Sequence, residues 1–338
     1  MNKKRVLAML LAGAMALSMT ACGGNSASTD DSSNDGGASA SGGSYKVSVI
    51  LKTLAAEYWQ YVKSGAEDYA SEHSDKVTVE VKGPSSETAF DEMQNMIETD
   101  LSSGSYDGVI ISPLQSDTAA QLVSGTKLPI VAIDTNFTAP EVKSFVGPGN
   151  EAAAKKGGEA AVEAAKAAGW TDIKCIEIAG VQGDQTNTAR MNGYKAGVEE
   201  AGGTFLSDEV QYADATADRA TTAMEAIMQT HPEGIAIICA NNDDMAMAAA
   251  RAAQGHDAYK NTIFLGFNGD RAACEAILAG QMTMSVAQMA YEMGYKAVET
   301  MVQVLDGETV DEFVDSGSDV VTPDNAQERL DTLKTQLH

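Results

Sequence analysis

The chain has 338 residues, 44% of them hydrophobic, with 23 Lys+Arg against 48 Asp+Glu and a net charge of −25. That length holds two domains of roughly 100–200 residues each, and so acidic a surface repels nucleic acid and anionic lipid. Beyond Cys22 only Cys175, Cys239 and Cys274 remain, an odd set without metal-ligand or CxxC spacing, so no disulfide framework is expected.

The chain begins MNKKRVLAMLLAGAMALSMTAC, in which Lys3, Lys4 and Arg5 precede an apolar run too short to span a bilayer comfortably. Residues 1–21 read as an export signal. Thr20-Ala21-Cys22, followed by Gly23 and Gly24, resembles the bacterial lipoprotein processing site, which implies that Cys22 becomes the lipidated first residue; Met19 stands where leucine is usual. Removal of residues 1–21, which contain three Lys/Arg and no Asp/Glu, takes the charge to −28. Residues 22–44 then form a flexible acidic tether, because NSASTDDSSNDGGASASGGS has nothing to anchor a core. No later apolar stretch is long enough for a transmembrane helix.

From Tyr45 onward, short Val/Ile-rich runs alternate with helical patterns, the rhythm of βαβ units. KVSVIL precedes a helix from about Glu57, VTVEVK one over residues 89–102, and GVIIS one near Asp117, before LPIVAID closes the first half. After KSFVGPGN the rhythm restarts. A helix over 151–168, IKCIEIAG, a helix over 188–201, TFLSDEVQ, a helix over 217–229 and GIAIICA form the second half. NTIFLGFNGD and QMTMSVAQM add strands, followed by a helix over 289–305 and an amphipathic tail helix within 322–337. The expected fold class is α/β, with two similar doubly wound parallel-sheet lobes.

In open α/β sheets ligands bind beyond the carboxyl ends of the strands. Lys52 follows VIL, Asp134 follows VAI, Asp184 to Asn192 follow IEIAG, Asn241 and Asn242 follow IICA, Asn268 follows FLGF and Gln288 follows SVA. These groups hydrogen-bond; none is a nucleophile paired with a base. Amides and carboxylates that give and accept suit vicinal hydroxyls, and Tyr58-Trp59 offers aromatic planes for the C–H face of a sugar ring. The plain readings are a partly buried aromatic pair, a solvated Lys52, a turn at Asp134 and a helix cap at Asn242. On the first turn after IEIAG, Asn192 is the better candidate than Arg190. His73, His231, His256 and His338 are scattered and no HExxH occurs, so neither metal nor cofactor is expected. GPGNEA is a weak dinucleotide-loop match, and no GxxxxGK[ST] is present.

LKTLAAEYW, DGVIISPLQSD, AID, TARMNGYKAGV, ANNDDMAMAAARA, FLGFNGD and GQMTMSVAQ, in this order, resemble the periplasmic sugar-binding proteins of the ribose and D-allose type. The resemblance implies the type I periplasmic binding protein fold, its two lobes joined by a three-segment hinge. It implies sugar contacts at Lys52, Tyr58, Trp59, Asp134, Asn192, Asn242, Asn268 and Gln288, with Arg190 nearby. It departs at Ala56, where asparagine is usual, at Asn268, where aspartate is usual, and at Ala217, where an aromatic covers the other sugar face; Tyr212 is the candidate replacement.

The implied organisation is an N-terminal lobe of residues 45–148 plus about 289–318, a C-terminal lobe of 149–288, and a tail helix over 319–338. Hinges fall near Gly147–Asn150, Gln288–Met289 and residues 315–319. The implied function is that of a monomeric, non-enzymatic substrate-binding lipoprotein. It captures a monosaccharide between the lobes and hands it to an ABC importer permease, held outside the cytoplasm by its lipid alone. A sensor for a cyclic polyol or furanose-like molecule is the alternative. A LacI-type repressor lacks its helix-turn-helix here, and a glycosidase lacks a carboxylate pair.

Overall fold

The computed structural model describes residues 44–337; the expected export signal, Cys22 and the tether up to residue 43 lie outside the described residues. β1 (Tyr45–Ile50) forms because its residues alternate between two apolar surfaces. Val47 and Val49 join the core beneath α1 (Glu57–Glu72), while Ile50 joins the one beneath α2 (Phe90–Ser102). With β2 (Val77–Lys82), β3 (Gly108–Ile111), α3 (Ser116–Leu122), β4 (Ile130–Ile133) and β5 (Val142–Gly147), this makes the first half. The second comprises α4 (Asn150–Ala167), β6 (Lys174–Ala179), α5 (Gln185–Glu200), β7 (Thr204–Phe205), β8 (Gln211–Tyr212), α6 (Ala217–Thr230) and β9 (Ile237–Ala240). It continues through α7 (Asp243–Ala253), β10 (Ile263–Asn268), α8 (Arg271–Leu278) and β11 (Met284–Gln288).

α9 (Ala290–Leu305) returns to pack along α1, and β12 (Phe313–Asp315) joins the first sheet beside β5. β13 (Ser318–Val321) crosses back to pair with β11, and α10 (Ala326–Leu333) packs on α8. The six-stranded sheet runs β12-β5-β4-β3-β1-β2 and the second β13-β11-β10-β9-β6-β7, with β8 also on β6. Every pair is parallel except β11–β13. Both halves share the doubly wound order in which the first strand lies between the second and the third. The chain passes between the sheets after β5, after β11 and after β12, and the three passages lie side by side. Ser316 N donates to Gly147 O (3.0 Å) and Met289 N to Gly317 O (3.3 Å). TFLSDEVQ, expected as one strand, is two short strands around a 3-10 turn. No described helix is long and apolar enough to cross a membrane.

Candidate functional site

The carboxyl ends of the two sheets face one another across a cavity of about 340 Å³, near the lower end of the usual range for small-ligand sites. A larger hollow of about 560 Å³ opens at the amino ends of β10 and β11. Its walls come from the second sheet's half alone, whereas the cleft gathers polar groups from both.

On the first lobe's side, Lys52 leaves β1 and is buried against two carboxylates. It bonds Asp184 from the opposite lobe and lies 3.8 Å from Asp134 Oδ2. Burial alone would favour its neutral amine, but Asp184 and Asp134 outweigh it and raise its pKa. Tyr58, on the first turn of α1, donates its hydroxyl to Asp134 Oδ1 (2.8 Å), with Gln288 Oε1 at 3.1 Å. Burial, reinforced by Asp134, pushes that phenol well above its ordinary value and keeps it a donor. Trp59 Nε1 donates to Glu87 Oε1 (3.0 Å), on the loop after β2. Asp134 ends β4 at φ 62°, a left-handed turn that aims its carboxylate inward; Thr135 Oγ1 donates to its Oδ2 (2.9 Å).

On the second lobe's side, α5 begins at Gln185 because Asp184 caps it, accepting from Thr186 N (2.6 Å) and Asn187 N (3.2 Å). Thr186 then meets Thr135 oxygen to oxygen at 2.6 Å across the cleft. Arg190, one turn on, lies over Phe267 with its guanidinium carbon 3.8 Å from the ring centre. It donates through Nε to Asn150 Oδ1 (3.0 Å) and through Nη1 to Asn241 O (2.8 Å). Asn242 caps α7, accepting from Met245 N (2.9 Å), and still lines the cavity. Asn268 holds φ 141° and accepts from Gln288 Nε2 (2.9 Å).

Eight of the nine expected contacts therefore line the cavity: Lys52, Tyr58, Trp59, Asp134, Arg190, Asn242, Asn268 and Gln288. Asn192 does not. It is exposed, because the inward face of α5 carries Thr186, Asn187, Arg190, Gly193 and Tyr194, and a residue two positions after Arg190 points about 200° around the helix. The preference for Asn192 over Arg190 is thus reversed. Tyr212 is 45% exposed and outside the lining; Ala215, Thr216 and Ala217 form that wall, so no aromatic replaces the one missing there. Glu87, Asp184 and Asn241 also line the cavity, in addition to the nine expected contacts. The strand-end rule reaches the last two, since Asp184 follows β6 and Asn241 follows β9, but Glu87 sits on a loop without a pattern of its own.

Two parallel-sheet lobes, a polar cleft between them and three adjacent chain passages define a bilobal binding protein for a small polar solute. The chain belongs to the family described as periplasmic binding protein domain, whose model matches residues 47–309. It is therefore an extracytoplasmic binding protein, not an enzyme. Similar proteins include the ribose import binding protein of Escherichia coli K12, 27% identical over 268 residues, with 78% of this chain and 86% of the relative covered. The D-allose-binding periplasmic protein of the same organism is 29% identical over 265 residues, covering 75% and 83%. The fold is shared with an ABC transporter solute binding protein from Agrobacterium vitis with bound D-fucose, at TM-score 0.75 and 23% identity, covering 87% of this chain and 100% of that one.

Proposed function

We propose that this protein is the substrate-binding component of an ABC importer, capturing a monosaccharide between its lobes and acting as a monomer tethered by a lipid on Cys22 to the outer face of the cell membrane. The observation that carries the reading is the convergence of donors and acceptors from both lobes on one small cavity floored by Tyr58 and Trp59. Each sugar hydroxyl both gives and receives; Asp134 and the oxygens of Asn242, Asn268 and Gln288 accept, while Lys52, Arg190 and the amide N–H groups donate. An unmatched hydroxyl costs about 1–3 kcal/mol once buried, so the set that binds a sugar also rejects its epimers. The relatives named for ribose and D-allose support a sugar over other polar solutes.

A ligand that touches both lobes binds the closed arrangement better than the open one, and so shifts the population toward closure. The passages at Gly147–Asn150, Gln288–Met289 and residues 315–319 are the natural hinges. They divide the chain into a first lobe of residues 45–148 and about 289–318, a second of 149–288, and the tail. The permease would read the closed pair of lobes, and ATP hydrolysis belongs to that partner.

A thermal-shift panel of D-ribose, D-allose, D-fucose, myo-inositol and the common amino acids tests the reading. A pentose or hexose should raise Tm at millimolar concentration. Stabilisation by amino acids alone would overturn the sugar assignment, and stabilisation by myo-inositol alone would favour a cyclitol receptor.

A further inference from the structure

Glu177 stands in the middle of β6, fully buried, and neither carboxylate oxygen has a hydrogen-bond partner. Alternation along the strand sets its direction. Ile176 and Ile178 enter one core, Cys175 enters the core built on α4 and α5, and Glu177 shares the face of Cys175. Cys239 of β9 is its in-register partner across the strands, and α5, packed on β6, turns Arg190 and Tyr194 to this side, where they bond the carbonyls of Asn241 and Ala240 just beyond Cys239. The flanking β7 and β8 contain no charged residue. Burial pushes the carboxyl up to about 8, while the Asn241 side-chain amide and the charge of Arg190 favour its ionised form.

Two of those neighbours, Arg190 and Asn241, also line the cleft. Arg190 is held there by neutral acceptors only, Asn150 Oδ1 at 3.0 Å and Asn241 O at 2.8 Å. We propose that Glu177 is a positioning residue for Arg190: uncharged, it leaves the guanidinium facing the cleft, and on ionising it draws the guanidinium inward and weakens ligand binding. A bare carboxylate in the interior is costly, and a charge-assisted bond is roughly twice as strong as a neutral one. Once Glu177 loses its proton, the balance at Arg190 therefore tips from Asn150 and Asn241 toward the carboxylate. The sign follows from linkage. If ligand prefers the protonated form, affinity is complete below the folded pKa and declines as pH rises through about 8.

The proposal rests on the reading of the cleft as a sugar site, so its test includes an arm without ligand. In labelled wild-type protein, the Glu177 side-chain carboxyl carbon, identified by its absence in Glu177→Gln, and the Arg190 Nε resonance should titrate with one midpoint. In Glu177→Gln the Arg190 resonance should stay fixed. With D-ribose and D-allose as probes, wild-type Kd should weaken on the order of tenfold between about pH 6 and about pH 9, one lost polar contact, while Glu177→Gln keeps its low-pH affinity. Calorimetry near the midpoint in buffers of different ionisation enthalpy should show proton uptake on binding by wild type and less by Glu177→Gln. Other titrating acids such as Asp243 and Asp270 are present in both proteins and cancel in the comparison. An Arg190 resonance indifferent to Glu177, or a shared pH profile for the two proteins, overturns the proposal. If neither sugar binds at any pH, the sugar reading fails, and the ligand-free titration still decides the coupling.

Discussion

Asp134 and Asn268 are two of only four non-glycine residues with positive φ among the described residues, and both end a strand at the cleft. Such backbone costs of order 1–3 kcal/mol and persists where the surroundings over-determine it, commonly at binding sites. For Asp134 the surroundings are plain: Tyr58, Thr135 and Lys52 converge on its carboxylate, and Thr186 and Asn150 on its carbonyl. A strand ending in a polar residue is legible in a sequence; the inverted φ is not, because residues from four other segments, with the adjacent Thr135, impose it. The same gap explains Arg190. Whether it or Asn192 turns inward depends on where α5 starts, and the cap at Asp184 sets that start three residues earlier than the apolar pattern suggests. Trp59, read as a ligand wall, is also only 3% exposed and part of the core, so truncating it would confound binding with folding. The cleaner pair lies on α5. Arg190→Met should weaken sugar binding at least about tenfold, whereas Asn192→Ala should leave Kd and Tm unchanged. Calorimetry on both variants checks this, and equal affinities would remove Arg190 from the site.

Among the elements, those carrying the cleft are braced by unusually close helix pairs. A Cβ on Gly65 of α1 would lie 1.9 Å from Tyr291 O on α9, and one on Gly294 of α9 would lie 1.9 Å from Val62 O. α4 and α5 repeat the device, with Gly193 set against Glu151 O at 2.2 Å and Gly197 against Lys155 O at 2.1 Å. Glycine in a helix normally costs about 1 kcal/mol relative to alanine, so an isolated Gly294→Ala would stabilise α9. Here the new methyl meets backbone that cannot swing aside, and overpacking of this kind costs about 1–3 kcal/mol or more. The clash therefore wins. Gly294→Ala should lower Tm by several degrees and, because α1 presents Tyr58, weaken ligand binding as well; a higher Tm by calorimetric scan would mean that the helices can part freely. Long helices and wholly apolar strand runs such as GVII, IVAI and IICA announce themselves in sequence, but β12 (FVD) and β13 (SDVV) are short and partly polar. They are strands because β5 and β11 offer free edges there. The tail helix gave no clue to its place either; Arg329 fixes it, donating to Gly269 O (3.1 Å) and Gln288 O (2.7 Å).

For the whole molecule the relevant contacts are those joining the lobes: Lys52 with Asp184, Thr135 with Thr186 at 2.6 Å, Tyr58 with Gln288 at 3.1 Å, and Glu57 with Arg271. The repeated strand-helix rhythm and the strand-end polar residues made the two lobes and most of the cleft readable in sequence, since both follow from local patterning. Contacts between lobes depend on how two folded bodies meet, which no local pattern encodes. The Glu57–Arg271 pair is the most separable of them. Arg271 opens α8, lies outside the cavity lining, and grips Glu57 at the start of α1 with two bonds, Nε to Oε1 at 3.0 Å and Nη2 to Oε2 at 3.3 Å, while Tyr61 holds Oε1 in place (2.9 Å). Both side chains are partly exposed, so the pair contributes about 0.2–1 kcal/mol at most. Within one lobe that would be negligible, but these bonds exist only when the lobes are together, so the whole increment falls on the closure equilibrium. Arg271→Ala should leave Tm within about a degree and weaken sugar affinity by roughly 1.5- to 5-fold. Glu57→Gln in that background should add little, as the two act through one interaction. The difference should shrink as salt approaches about 1 M, where exposed charges are screened within roughly 3 Å, and small-angle scattering on ligand-free protein should find the variant's radius of gyration larger than wild type. Unchanged affinity at low salt together with an unchanged radius would mean that closure is set by the cleft contacts alone.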